Sequence, residues 1–447
     1  MKKDVENKAK DDDDYNPHLH REIPHGTNYF ETVVNMIKGA LGTGILAMPN
    51  AFFNSGLMVG LIGTLVIGFI CTYCLHILLK NQYRLCKRLK VPFLTYGESM
   101  KFAMKDCPSG CVRAMAGFFE GMVDFFIIVY QLGICCVYAI FIPGNVKLVV
   151  EKFTGFEMSL IFYILIFHIP LILICCIRTL KVLAIFSMIS NITMLVAFTI
   201  IGYFVFQNLP NIKELPAFNS FYTLPLFFGT TLFALEAVGV IMSLEKNMLK
   251  PWQFVGWFGV LNVSMVIVTL LYAAVGFFGY WKYEEETKPS ITYNMPQTHY
   301  LSAVVQILYA LAIYLTFGLQ AYPPMRYLIG YAAITKKYQE STNQWIIDHL
   351  IIVISISFAI LAAAAIPLLA LFISLLGAFC LSALGFSFPA LLEIFVRWPD
   401  SDFGKGGIVM LQDLFFICFG CFGLVVGTYC SLSEIVIALN NQTTSSS

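Results

Sequence analysis

The stretch K-G-A-L-G-T-G-I-L-A-M-P, residues 38–49, sits in the middle of an apolar segment long enough to cross a bilayer, yet it carries Gly39, Gly42, Gly44 and Pro49. Such residues interrupt a helix. In hydrocarbon, freed backbone groups are tolerated only where neighbouring protein or a water-filled cavity satisfies them. A break of this kind therefore points to a site. A second one follows in 222–244, where Gly229-Thr230-Thr231 and Gly239 fall near the middle of the segment. Windows of about 20 apolar residues give eleven candidate spans, at 30–53, 57–80, 118–144, 158–177, 182–206, 222–244, 252–280, 300–325, 344–366, 368–394 and 408–433. If the first ten form two inverted five-helix repeats, the interrupted spans are equivalent members, and interrupted segments at matching places in two halves mark a secondary transporter's binding site.

Composition sets the same frame. The 447 residues are 58% hydrophobic and only 12% charged, about half the charge of soluble domains. The chain reads as an all-α polytopic membrane protein. A net charge of +1 gives no basic footprint for nucleic acid. The thirteen cysteines lie mostly in apolar segments and read as small packing residues. No His/Cys/Asp constellation has metal-ligand or nucleophile spacing, so neither an enzyme nor a cofactor is implied, and no ring of charges suggests a channel.

Lys and Arg favour cytoplasmic loops. With the N-terminus inside, only Lys147, Lys152, Lys213, Lys282 and Lys288 fall on the opposite face; Lys38 lies within the first span, and all other Lys and Arg are cytoplasmic. Residues 1–28 read as a disordered cytoplasmic arm containing the acidic run Asp11 to Asp14. Residues 29–435 form the transporter body with a cytoplasmic loop at 81–117, and 436–447 a short outer tail. Asn441-Gln442-Thr443 is an N-glycosylation sequon usable on that face. In the loop, Thr95 and Glu98 form a capping box that opens a helix expected to lie on the membrane surface.

The half-helix ends predicted at the first break present free N–H groups and a positive dipole end to a carboxylate. Threonine supplies a hydroxyl there. Gly42, Thr43, Gly44 and Gly229 are assigned to the site on these grounds, whereas Gly39, Gly56, Gly60, Gly63, Gly117, Gly121 and the run Ala362 to Ala365 suit close helix packing. Ionisable residues within spans are costly. Among them, Lys38 is expected to pair with Asp124, or else with Glu236, while His76 and His168 suit hydrogen-bonded or interfacial positions.

Several segments resemble the proton-coupled amino acid transporters of the amino acid/auxin permease superfamily, insect members most closely. They are the first stretch itself, V-D-F-F-I-I-V-Y-Q-L-G-I-C-C-V-Y at 123–138, S-N-I-T-M-L-V at 190–196, Y-T-L-P-L-F-F-G-T-T-L-F-A-L-E-A-V-G at 222–239, P-A-L-L-E at 389–393 and G-T-Y at 427–429. The resemblance implies eleven helices in the leucine-transporter fold, a 5+5 inverted repeat plus one. It also implies that Gly42, Thr43 and Gly44 receive the substrate carboxylate, with Phe228, Thr230, Phe233 and Glu236 lining or supporting the other side. One departure bears on mechanism: similar proton-coupled members have histidine where this chain has Asn35, and asparagine does not titrate near neutrality. The loop 282–299 also lacks the cysteine that relatives use for a disulfide.

The expected function is secondary transport of small neutral amino acids by alternating access, with protons as a possible second substrate and lipid as the surroundings. The alternatives are a proton-independent facilitative carrier and an endolysosomal amino-acid sensor. The plasma membrane and the lysosomal or late endosomal membrane both suit these functions.

Overall fold

The computed structural model describes residues 15–446 apart from 22–25, 41, 178–179, 213–214, 236–237, 336–338 and 340–342. The described residues form helices and loops, with one isolated β-bridge, Thr27 to Met248. In chain order the helices are α1 (Tyr29–Ala40), α2 (Thr43–Ser55), α3 (Leu57–Leu89), α4 (Tyr96–Lys105), α5 (Gly110–Thr154), α6 (Leu160–Cys175), α7 (Leu180–Val205), α8 (Leu224–Leu235) and α9 (Val238–Lys246). They continue with α10 (Val260–Tyr283), α11 (Ile291–Asn294), α12 (Tyr300–Ala333), α13 (Gln344–Ala365), α14 (Leu369–Leu376), α15 (Phe388–Arg397), α16 (Ile408–Phe422) and α17 (Thr428–Ser446). Each of the eleven sequence windows overlaps one helix or a broken pair. Among the described residues, eight helical stretches are long and apolar enough to cross a membrane, and α6 and α8 are shorter apolar helices.

The first break falls where glycine placed it, α1 giving way to α2 at Gly42, whereas Gly229 and Gly239 lie within the helical stretches α8 and α9. Two further spans are wound differently, with π-helical turns at Gly377–Ser387 between α14 and α15 and at Gly423–Gly427 between α16 and α17. Packing around α8 is tight enough to exclude side chains. A Cβ on Gly229 would stand 2.2 Å from the Ser374 carbonyl oxygen, and one on Gly377 would stand 1.8 Å from the Gly229 carbonyl oxygen. Gly229 is thus a contact between α8 and the neighbouring span, and its role differs from the site role its sequence position suggested.

The corner between α2 and α3 depends on Gly56, whose φ of +87° favours glycine. The loop ahead of α8 lies against this corner. Leu57 N–H donates to the Pro216 carbonyl, and Met58 and Val59 N–H both donate to the Ala217 carbonyl, so the first-turn donors of α3 are satisfied from outside the helix. In return, the Asn219 side-chain amide donates to the Phe53 carbonyl and the Thr223 hydroxyl to the Asn54 carbonyl.

The capping box forms as the sequence indicates: Thr95 Oγ1 accepts from Glu98 N–H, and Glu98 Oε2 accepts from Thr95 N–H. The helix it opens packs one face into the protein, with Tyr96, Ser99, Met100, Ala103 and Met104 buried. Gly97 allows α4 to press against α5, since a Cβ there would come within 2.6 Å of Asp124 Oδ1. The Tyr96 hydroxyl reaches the Leu384 carbonyl at 3.0 Å.

The N-terminal arm also departs from a uniformly disordered tail. Pro17–His20 form one 3-10 turn capped by Asn16, and Thr27 pairs with the chain just after α9, accepting from Leu249 N–H and donating to the Asn247 carbonyl. Arg21 anchors the segment: Nη1 lies 2.9 Å from Glu245 Oε1 and Nε donates to the Pro92 carbonyl. The physical cause is that a guanidinium satisfies a nearly buried carboxylate and an open loop carbonyl together. The acidic run Asp11 to Asp14 lies outside the described residues.

Candidate substrate site

The break in the first span leaves Gly42 extended, with φ −93° and ψ −155°, as the N-cap of α2, and no side chain caps that end. The first-turn N–H groups of Thr43, Gly44 and Ile45 have no intrahelical acceptor, and the dipole of α2 adds a positive end worth about 0.3–1 kcal/mol toward an anion. Facing it is the last described turn of α8, whose Phe233 and Ala234 border the same region. The two broken helices touch: a Cβ on Gly44 would stand 2.8 Å from Ala234 Cα. Only glycine lets the backbones come this close.

Between these ends lies a cavity of about 90 Å³, lined by Gly39, Gly42, Thr43, Gly44, Phe233, Ala234 and Gly239 from the broken helices, with α5, α10 and α12 supplying the rest. Gly39 near the end of α1 and Gly239 of α9 also border it, beside the uncapped N-terminus of α2. The volume is far below the roughly 300–1,000 Å³ of pockets for drug-sized ligands.

Of the residues singled out from sequence, Gly42, Thr43, Gly44 and Phe233 come together here. Phe233 packs edge-on to Tyr130 with ring centroids 6.2 Å apart. Thr230 is buried within the packing of α8, and it is not among the lining residues. Phe228 faces away, against Phe386 and Phe419. Glu236 lies outside the described residues.

The expected Lys38–Asp124 pair does not form. Lys38 is exposed, and no carboxylate among the described residues lies within 4.0 Å of its ammonium. Asp124 accepts a 2.8 Å hydrogen bond from the Tyr331 hydroxyl instead. The acid that does pair near this depth is Glu120, at 2.7 Å from Lys101 of α4. The loop helix thus takes the position that the sequence suggested for Lys38.

Sequence reasoning missed the polar wall opposite α2. Gln131 of α5 and Gln320 of α12 line the cavity and hydrogen-bond each other, Gln320 Nε2 donating to Gln131 Oε1 at 3.0 Å. Tyr138 and Tyr272 line it as well, and a Cβ on Gly42 would lie 3.8 Å from the Tyr138 hydroxyl. A lone amide in each of two apolar spans was the available signal. His76 and His168 behave as hydrogen-bonded packing residues, with Nε2 atoms 2.6 Å from Asn262 Oδ1 and 3.0 Å from Ser357 Oγ respectively. Among the described residues no group of three or more His, Cys, Asp and Glu is placed to hold a metal ion.

Comparison with known proteins agrees with this geometry. Residues 25–433 match the family described as "Transmembrane amino acid transporter protein". The chain is 36% identical over 428 residues to the proton-coupled amino acid transporter-like protein pathetic of Drosophila melanogaster, covering 96% of this chain and 89% of that one. It is 26% identical over 421 residues to the probable amino acid transporter skat-1 of Caenorhabditis elegans, covering 90% and 89%. Among solved structures, the inward-facing conformation of Mhp1 superposes with a TM-score of 0.59 at 12% identity, covering 95% of this chain and 92% of that one. Mhp1, a nucleobase-cation-symport-1 family transporter, in a closed conformation with bromovinylhydantoin bound, gives 0.55 at 14% identity, covering 93% and 92%. The fold is that of these transporters, with the first span interrupted at Gly42.

Proposed function

From the premise that this chain belongs to the transmembrane amino acid transporter family, whose members are multi-pass membrane transporters rather than enzymes, we propose that its substrates are small neutral amino acids carried by alternating access. The observation that carries this reading is the cavity of about 90 Å³ lined by α1, α2, α8 and α9 around the break at Gly42. The substrate carboxylate is held by the first-turn N–H groups of α2 at Thr43 and Gly44. Its ammonium group meets carbonyls at the end of α8 and the Gln131 amide oxygen, and its side chain meets Phe233, Tyr130 and Ile134. Charged side chains find no partner in that wall, and large ones find no room.

The face rich in Lys and Arg is the cytosolic one in this reading. It carries the docked arm, and the outer tail carries a glycan at Asn441, an exposed residue. Residues 29–435 are the transport unit, in the plasma membrane or in the late endosomal and lysosomal membrane. In the structure, buried Tyr138 and Tyr272 roof the cavity while Gly39 and Gly239 on its walls are exposed, which suits a state opening toward the cytosol.

Uptake of a radiolabelled amino acid panel into reconstituted vesicles tests the assignment. Glycine, alanine, serine and proline are expected to move faster than leucine and phenylalanine, with glutamate and lysine excluded. Equal rates for alanine and phenylalanine would rule out the small-substrate reading. A second reading, transport without protons, is favoured by Asn35, which does not titrate in the first span. A flux independent of pH, with no proton current, would establish it.

A further inference from the structure

The most anomalous polar group among the described residues lies away from the substrate cavity. Asp413, on the second turn of α16, is 0% exposed; no N–H or hydroxyl donates to its carboxylate oxygens, and the side chain within hydrogen-bonding reach is the carboxylate of Glu393. Its neighbour Glu393 on α15 is 6% exposed. The single nearby cation is committed elsewhere: Arg397 Nε and Nη2 both lie 2.7 Å from Glu393 Oε1, and Nη1 donates to the Asp402 carbonyl at 3.0 Å and approaches Asp402 Oδ2 at 3.5 Å.

The other ionisable groups that act on Asp413 are Tyr73 and Cys74 of α3. Tyr73 donates to Gln412 Oε1. The π-helical turn packed on the remaining side, Gly377–Ser387, contains no ionisable residue except Cys380.

Charge arithmetic then decides the protonation state. Two carboxylates and one guanidinium would leave a net negative charge buried in apolar protein. An uncompensated buried charge is costly enough that the group neutralises instead, and adjacent carboxyls do so by retaining one proton between them. Glu393 has the guanidinium, so the proton resides on Asp413.

We propose that Asp413 is a proton-binding site of this transporter, paired with Glu393 and switched by Arg397 at the Lys/Arg-rich face. Arg397 links the pair to solution because it also lines an open cleft of about 510 Å³ together with Arg84, Lys87, Arg88 and Asp402. When the guanidinium turns from Asp402 to lie between Glu393 and Asp413 and water of the cleft follows it to hydrate the remaining negative charge, the ionised form is stabilised and Asp413 releases its proton to that water. When it returns to Glu393 and Asp402, Asp413 takes a proton back. No bond other than O–H is made or broken. The link of this proton to substrate flux rests on the transport reading above, whereas the presence of the proton does not.

The test combines infrared difference spectroscopy of the purified full-length protein with alanine uptake at varied pH on the Lys/Arg-rich side. Wild type is expected to show the carbonyl band of a buried protonated carboxyl and a rate that changes by up to about tenfold per pH unit, the limit for one proton. Asp413→Asn is expected to lose the band and flatten the pH profile while retaining uptake. Should that variant not fold, Glu393→Gln frees Arg397 for Asp413, so the band is expected to vanish through ionisation. A band unaffected by either substitution would overturn the proposal, as would its loss with the uptake profile unchanged. If Asp413→Asn removes the band but wild type carries no amino acid at any pH, the proton site stands and the substrate assignment fails.

Discussion

The two ends of the molecule, on either side of the substrate cavity, are held together in different ways. Toward α11 the chain packs aromatic rings: Phe141 stacks on Tyr293 at 6.3 Å and meets Tyr309 edge-on at 6.5 Å, while Tyr138 packs against Phe317. Tyr272, Tyr309 and Phe317 are each no more than 1% exposed. Toward the arm, few apolar contacts are involved. Arg21 pairs with Glu245, His18 stacks on Tyr83 at 4.7 Å, and the Lys246 ammonium sits 4.5 Å above the Phe93 ring. Apolar closure is non-directional and insensitive to pH. The polar closure depends on a few charges, and a change in one of them releases it.

The largest expected effect is at the aromatic end. Tyr309→Ala removes a fully buried ring and should destabilise the protein by about 3–5 kcal/mol, read as a lowered melting temperature in detergent. A loss below about 1 kcal/mol would mean that rings do not hold this end.

At the opposite end, Arg21→Ala leaves Glu245, whose side chain is 8% exposed, without its cation. Removing one partner of a buried pair costs about 3–5 kcal/mol, and undocking of the arm relieves part of it. The expected result is faster hydrogen exchange over residues 26–33 with little change in global melting. An equal change at both ends would erase the contrast.

A smaller effect comes from His18. Burial, and then the Arg21 guanidinium, lower its pKa from 6.5 to about 4, even though Glu245 Oε1 lies 3.7 Å from Nδ1. Between these values the free arm binds more protons than the docked one, so docking is at full strength above pH 6.5 and weakens as pH falls toward 4. The slope is at most about 1.4 kcal/mol per pH unit. His18→Phe, which keeps a ring against Tyr83, should remove this dependence from exchange measured at residues 26–33.

The smallest is Thr95→Ala, which breaks the capping box of α4 and touches neither end. It should cost about 1 kcal/mol in thermal stability and leave arm exchange unchanged.

Much of this was legible from the sequence because lipid imposes simple rules. Apolar runs gave the spans, and Gly42 and Gly44 gave the first break and the approach to Ala234. The faces of α8 were less accessible. Phe228 is five residues before Phe233, about 140° round the helix at 3.6 residues per turn, so both could not line one cavity. Gln131 and Gln320 are 189 positions apart and meet only through the packing of α5 on α12. Asp413 stood alone among Leu and Phe, and its significance depends on Arg397 being committed to Glu393 and Asp402, which no local pattern encodes. Lys38 showed the limit of depth arguments, since residues at equal depth on different helices need not face each other.

The loop at 215–220 has a mechanical consequence. Its carbonyls are the acceptors that begin α3, and its Asn219 and Thr223 grip the last residues of α2, while α2 and α8 also touch where Gly44 meets Ala234. α2 and α8 are therefore yoked as a single lever. A stroke that opens the cavity on one side must swing them jointly, with α1 and α9 outside this clamp.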